Sequence, residues 1–247
     1  MNMMNENFDA FDDYAMKFDF EEEQIRRKYE HSYRVMELGD KIVYSLGLEE
    51  DDSYLACITC LLHDIGRFEQ WTKYKTFNDS ESFDHGNYAS KLLFEEGLIN
   101  KFKLDEKDYD LVKTAIVNHN KIEIDKSIKD EHILLHSKIV RDADKIDILY
   151  QLSNPRIIKM EESDDNISDC VIEEFKEHKT IKYESIKNNN DKVIATLSLV
   201  FNLYFDYSKK LIIEKEYLER MYEYLENKEL FKEYFDEAIK YLKGSEK

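Results

Sequence analysis

Leu55-Ala56-Cys57-Ile58-Thr59-Cys60-Leu61-Leu62-His63-Asp64-Ile65-Gly66 is an apolar helical run that closes on an adjacent histidine and aspartate. Asp52 or Ser53 can cap its start and Gly66 can stop it, so the spacing predicts a helix with His63-Asp64 in its last turn. Packing alone does not account for an ionisable pair there, because burying charge is costly unless it is paired. Upstream, Glu22 to Leu46 places His31, Val35, Leu38, Ile42 and Leu46 on one helical stripe. Downstream, Asp84 caps a helix from His85 to Glu96, on which His85, Ala89 and Leu92 share a face. Asp105 caps another, with Tyr109, Val112, Ile116 and His119 in line, and a further helix over Asp130–Gln151 carries Arg141-Asp142-Ala143-Asp144-Lys145.

The 247 residues include one proline, Pro155, and six glycines, too few turn formers for a sandwich or barrel, so the expected fold is all-α. A formal charge of −18 argues against sequence-independent nucleic-acid binding and against docking on an anionic membrane. It does not exclude a small phosphorylated substrate, because bound metal ions reverse the potential within a cleft. No apolar run approaches the ~20 residues of a membrane span, and the acidic N-terminus is unlike a signal peptide. Three cysteines, an odd count, suit a reducing compartment, and the expected localisation is cytoplasmic.

A single histidine on an apolar stripe is ordinarily a bonded core residue. Three of them, His31, His85 and His119, together with His63-Asp64 and a later aspartate, are better served by a shared metal ion. Asp142 and Asp144 lie about 200° apart around a helix, so only one can face such a site. We assign Asp144, which shares a face with Val140, as the ligand. Asp147, one turn on, becomes a candidate substrate contact, and Asp142 a cap or a partner for Arg141 or Lys145.

On His31, His63-Asp64 and Asp144 the chain resembles the HD-domain metal-dependent phosphohydrolase superfamily, whose signature is His…His-Asp…Asp on a helical bundle. The resemblance covers about Tyr29 to Tyr150. His63-Asp64-Ile65-Gly66-Arg67-Phe68-Glu69-Gln70, followed by Thr76-Phe77-Asn78-Asp79 and Asp84-His85, is similar to small stand-alone bacterial HD proteins. It implies an HD-domain helical bundle, expected over 29–155; Pro155 and the polar run Glu161–Asp169 mark a boundary, so a helical segment at 1–28 and an acidic C-terminal helical extension at 156–247 packed on the same domain are expected around it. It also implies one or two divalent ions per chain, with Mn, Fe, Mg, Co, Ni and Zn not distinguished. The implied metal ligands are His31, His63, Asp64, His85, His119 and Asp144, with Asp64, His85 and His119 catalytic. His85 and His119 resemble the additional histidines of two-metal HD enzymes; with one metal they would instead hold phosphate or shuttle a proton. Asn120-Lys121-Ile122-Glu123 after His119 lacks the Gly-Tyr-Pro signature of cyclic-di-GMP hydrolases.

The expected reaction is hydrolysis of a phosphoester or phosphoanhydride bond of a nucleotide or other small phosphorylated metabolite by a metal-activated water. The alternatives are a di-iron oxygenase of the same fold and a non-catalytic nucleotide sensor; a homo-oligomer is compatible with all three. Arg67, Lys75, Asn78, Asp79 and Asp147 are the candidate substrate contacts, with Lys121 and Lys145 as further phosphate partners. Cys57-Ile58-Thr59-Cys60 lies in an apolar helix and reads as core. His132 and His136, spaced i, i+4, read as an exposed or locally bonded pair with His136 nearer the site, and His178 as solvated. Two helical stretches, Asp191–Lys210 and Lys215–Leu242, are expected after the polar run Glu161–Asp169.

Overall fold

Apolar stripes at helical spacing have formed helices throughout the residues that this computed structural model describes, 3–244, and no strand occurs among them. The chain is all-α, as its composition predicts. Two compact units part inside one long helix, between Asp144 and Lys145.

The first unit holds α1 (Met3–Ala15), α2 (Glu23–Leu46), α3 (Glu50–Leu62), α4 (Arg67–Tyr74), α5 (His85–Ser90), α6 (Tyr109–His119) and the start of α7 (Glu131–Leu152). Helices α2 and α3 form its central hairpin. A β-carbon at Gly39 would stand 2.7 Å from Cys60 Sγ, so the missing side chain is what allows α2 to lie this close to α3. Phe11 of α1 is fully buried among the rings of Tyr29, Tyr33 and Phe68. The Tyr29 and Tyr33 hydroxyls both donate to Asp12, at 2.8 and 2.7 Å, so the acidic N-terminal segment is fastened to α2 by polar and apolar contacts together.

Several boundaries differ from the sequence reading. Helix α3 begins at Glu50, ahead of Asp52 and Ser53. Asp52 therefore lies inside the first turn, where its Oδ1 meets His132 and His136. At the other end α3 stops at Leu62, and His63–Gly66 form a turn in which the Ile65 and Arg67 amides donate to the Leu62 and Asp64 carbonyls. Helix α5 is short and passes into a π-turn at Lys91–Glu95.

The second unit holds the end of α7 with α8 (Asp169–Lys176), α9 (Asn189–Leu197), α10 (Asp206–Glu214), α11 (Tyr217–Tyr224) and α12 (Lys228–Gly244). Each of the two long stretches expected here is broken. The first is interrupted by a 3-10 turn at Ser198–Asn202 and an extended link to α10. The second stops at Leu225, where the Glu162 carboxylate accepts from the Glu226 and Asn227 amides, each at 2.8 Å, just ahead of α12. Buried Asn190 bonds the Ser163 and Asp165 carbonyls, and buried Asp191 accepts from the amides of Ser168 and Lys187. The polar run at 161–169 is thereby tied to α9.

Candidate metal centre

Five elements of the first unit each deliver a ligand-type side chain to one place. His31 comes from α2, His63 and Asp64 from the turn after α3, His85 from the first position of α5, His119 from the last of α6 and Asp144 from α7. Local sequence fixes each placement. The Asp84 side chain caps α5 by accepting from the Asn87 amide at 2.9 Å. A β-carbon at Gly86 would stand 2.9 Å from Asn120 Oδ1 and 3.1 Å from the Ile116 carbonyl oxygen, so glycine lets the start of α5 press against the end of α6.

Asp64 divides its two oxygens between two sets of ligands. Oδ2 lies 3.4 Å from His31 Nε2 and 3.7 Å from His63 Nε2. Asp144 Oδ1 joins that set at 3.3 and 3.7 Å from the same two nitrogens. Oδ1 of Asp64 faces His85 Nε2 at 3.5 Å and His119 Nε2 at 3.6 Å. The ligand atoms of His31, His63 and Asp64 lie within 4.8 Å of one another, as do those of Asp64, His85 and His119, and those of His63, His119 and Asp144, a third group that overlaps both.

The ring orientations show that these residues fit a cation. His63 Nδ1 donates to the Cys60 carbonyl and His119 Nδ1 to the Ile116 carbonyl, both at 2.6 Å. His85 Nδ1 is 2.6 Å from Asp79 Oδ2. With Nδ1–H committed, a neutral imidazole presents a lone pair at Nε2. His85 and His119 then aim lone pairs at each other across 3.0 Å, and a cation held between them satisfies both. Asp64 Oδ1, buried and without a hydrogen-bond partner, opens onto the same space.

Charge is tuned to match. Burial opposes ionisation of Asp64, but the Lys28 ammonium outweighs it and holds the carboxyl well below its usual range. Burial and then the Arg67 guanidinium push His85 down to about 4, and burial lowers His63 also. Both rings are therefore neutral near pH 7, the form that binds metal.

Two cations stand at the rim. Lys28 Nζ is 2.6 Å from Asp64 Oδ2, and Arg67 places Nε 3.5 Å from Asp64 Oδ1 and Nη2 3.2 Å from His85 Nε2. The Phe77 ring lies 5.3 Å from Lys28 Nζ and 5.6 Å from Arg67 Cζ. The sequence reading passed over Lys28. Its signal was the spacing, since a residue three before His31 shares the face of a helix.

The other candidates separate. Asp79 bonds His85, Arg67 and Gln70, so it braces the centre. Asn78 caps the short turn after it, accepting from the Ser80 amide. Lys75 pairs with Glu22 at 2.8 Å, and Lys121 with Asp84. Asp147 and Lys145 belong to the second unit, where Asp147 is buried and accepts from Gln151 at 2.8 Å and Lys145 donates to the Asn202 carbonyl. Arg141 bonds backbone carbonyls of 118–122. Cys60 is buried and Cys57 partly so, both as free thiols. His178 pairs with Glu237 and stacks on Phe201.

The family model described as HD domain matches residues 29–149, a stretch that contains every candidate ligand. No curated protein and no solved structure gives a significant match. No helix of the described residues is long and apolar enough to cross a membrane.

Proposed function

This chain belongs to the HD-domain metal-dependent phosphohydrolase superfamily, and from that premise we propose that it hydrolyses a phosphoester or phosphoanhydride bond of a small phosphorylated metabolite, a nucleotide being the leading class. The observation that carries the reading is the division of Asp64 between two ligand sets, an arrangement suited to two ions with one shared carboxylate. His31, His63, Asp64 and Asp144 would hold one divalent ion, and Asp64, His85 and His119 the other. Bound ions supply Lewis acidity toward a phosphoryl oxygen and lower the pKa of water.

The protein's own groups do the rest. Lys28 and Arg67 flank the Asp64 carboxylate and are placed to take the non-bridging oxygens of a phosphate, Arg67 with a planar fork. Asp79 keeps the His85 proton on Nδ1 and so leaves the Nε2 lone pair facing the centre. Burial of the histidines limits water around the reacting group. Asp79→Asn removes the charged acceptor while preserving shape. It should weaken the His85-bound ion by about 10–100-fold and leave the other ion in place, read by metal titration.

The test of function is phosphate release from a panel of nucleotides and small phosphoesters, with Mn, Mg, Co, Fe and Ni supplied in turn. Metal-dependent release, abolished by chelation and restored by one of these ions, is the expected result. Oxygen consumption by iron-loaded protein with no phosphate release from any substrate would replace the hydrolase by an oxygenase.

A further inference from the structure

A second group of metal-type ligands lies in the first unit, away from the HD signature. His132 and His136 stand one turn apart at the start of α7, and their Nε2 atoms reach the same oxygen, Asp52 Oδ1, at 2.7 and 3.1 Å. The two rings are 4.8 Å apart and nearly perpendicular. The three ligand atoms lie within 4.8 Å of one another. His136 is buried, with a side-chain exposure of 0%, while His132 is half exposed, so the group has both a fixed floor and an opening to solvent.

Simple ion pairing accounts poorly for this geometry. Two imidazole nitrogens from one helix converge on a single carboxylate oxygen of another, where a simple pair needs only one. Two imidazoles at i, i+4 on one helix with a carboxylate from another are the donor set that borderline divalent ions take, with the exposed side left for water.

We infer that Asp52, His132 and His136 form a second metal site, separate from the HD centre, that takes a borderline divalent ion of the zinc class. Asp52 lies in the first turn of α3 and His132 in the first turn of α7. Counting 1.5 Å per residue, the end of α3 at Leu62, next to His63, is about 15 Å from Asp52, and Asp144 is about 18 Å along α7 from His132. An ion here clamps the far ends of the two helices that carry His63-Asp64 and Asp144. Its role is to fasten the frame, with no contact to substrate.

The inference is independent of the hydrolase reading and is tested on the full chain with zinc and cobalt as probes. Wild-type protein equilibrated with zinc and freed of excess should carry one more equivalent than His132→Ala, and its Tm should rise more on zinc addition. Cobalt should give wild type a visible absorption component that the variant lacks. Because His132 is half exposed, the variant should fold, and its phosphate-release rate should match wild type. Asp52→Asn keeps an oxygen for the imidazoles to bond but is a poor ligand. It should lose the same equivalent of zinc while its metal-free Tm stays close to wild type. Equal zinc content and identical cobalt spectra in wild type and His132→Ala would overturn the site. So would an Asp52→Asn protein that retains the full zinc complement.

Discussion

Asp64→Asn should abolish phosphate release and strip the HD centre of its ions, a loss of at least about 10³-fold in rate. The asparagine amide has the size of the carboxylate but no charge, and only one of its two terminal atoms is an acceptor. Asp64 presents one oxygen to His31 and His63 and the other to His85 and His119, so the substitution damages both ligand sets at once. It also leaves the Lys28 ammonium and the Arg67 guanidinium facing a neutral group, which adds repulsion to any incoming cation. His85→Ala and His119→Ala each remove one of the two nitrogens that face Asp64 Oδ1. They should lower the content from about two ions to about one and cut the rate severely. Metal analysis beside the rate separates these cases. An Asp64→Asn protein that keeps both ions and a rate within tenfold of wild type would remove Asp64 from the centre of the mechanism.

Helical periodicity made much of this legible. His31, His85 and His119 fall on apolar stripes, and residues on such stripes face inward regardless of their own chemistry. The choice between Asp142 and Asp144 followed from 100° per residue, and Asp144 is the one within reach of His31 and His63. Long-range contacts were hidden because periodicity says which face is buried and nothing about what meets it. Asp79 looked like a substrate contact in a loop, yet it holds His85 Nδ1. His136 looked nearer the site, yet it meets Asp52, 84 residues away in sequence, at the other end of α3. Lys28 was passed over because a long basic side chain on a helix is ordinarily solvated. The C-terminal breaks were missed for a related reason: the Glu162 carboxylate that meets the chain ahead of α12 comes from a distant loop.

Arg141 is the clearest case of a structural duty invisible in sequence, and removing it should cost the most stability. It is 2% exposed, and its guanidinium spreads over the end of α6. Nη1 donates to the carbonyls of Asn118, His119 and Lys121 at 2.7, 3.4 and 2.5 Å, and Nη2 to that of Ile122 at 2.9 Å. The last carbonyls of a helix have no partner within it and carry the negative end of its dipole, so a buried cation there is doubly favoured. His119 is the last residue of α6, and the same bonds fix the backbone from which its ring reaches the centre. Arg141→Met fills similar volume but supplies no donor. With hydrogen bonds to charged groups worth about 1.5–3 kcal/mol each and not additive, the loss should be at least about 3 kcal/mol. For a chain of this size that corresponds to roughly 6–12 °C in Tm. The His119-bound ion should weaken with it, while the ion held by His31, His63 and Asp144 should persist. Arg141→Lys returns the charge but cannot span separated carbonyls with one ammonium, so it should recover only part of both quantities. Calorimetry paired with metal titration reads them together. Unchanged stability in Arg141→Met, or full recovery by lysine, would show that the guanidinium fork does not hold His119 in place.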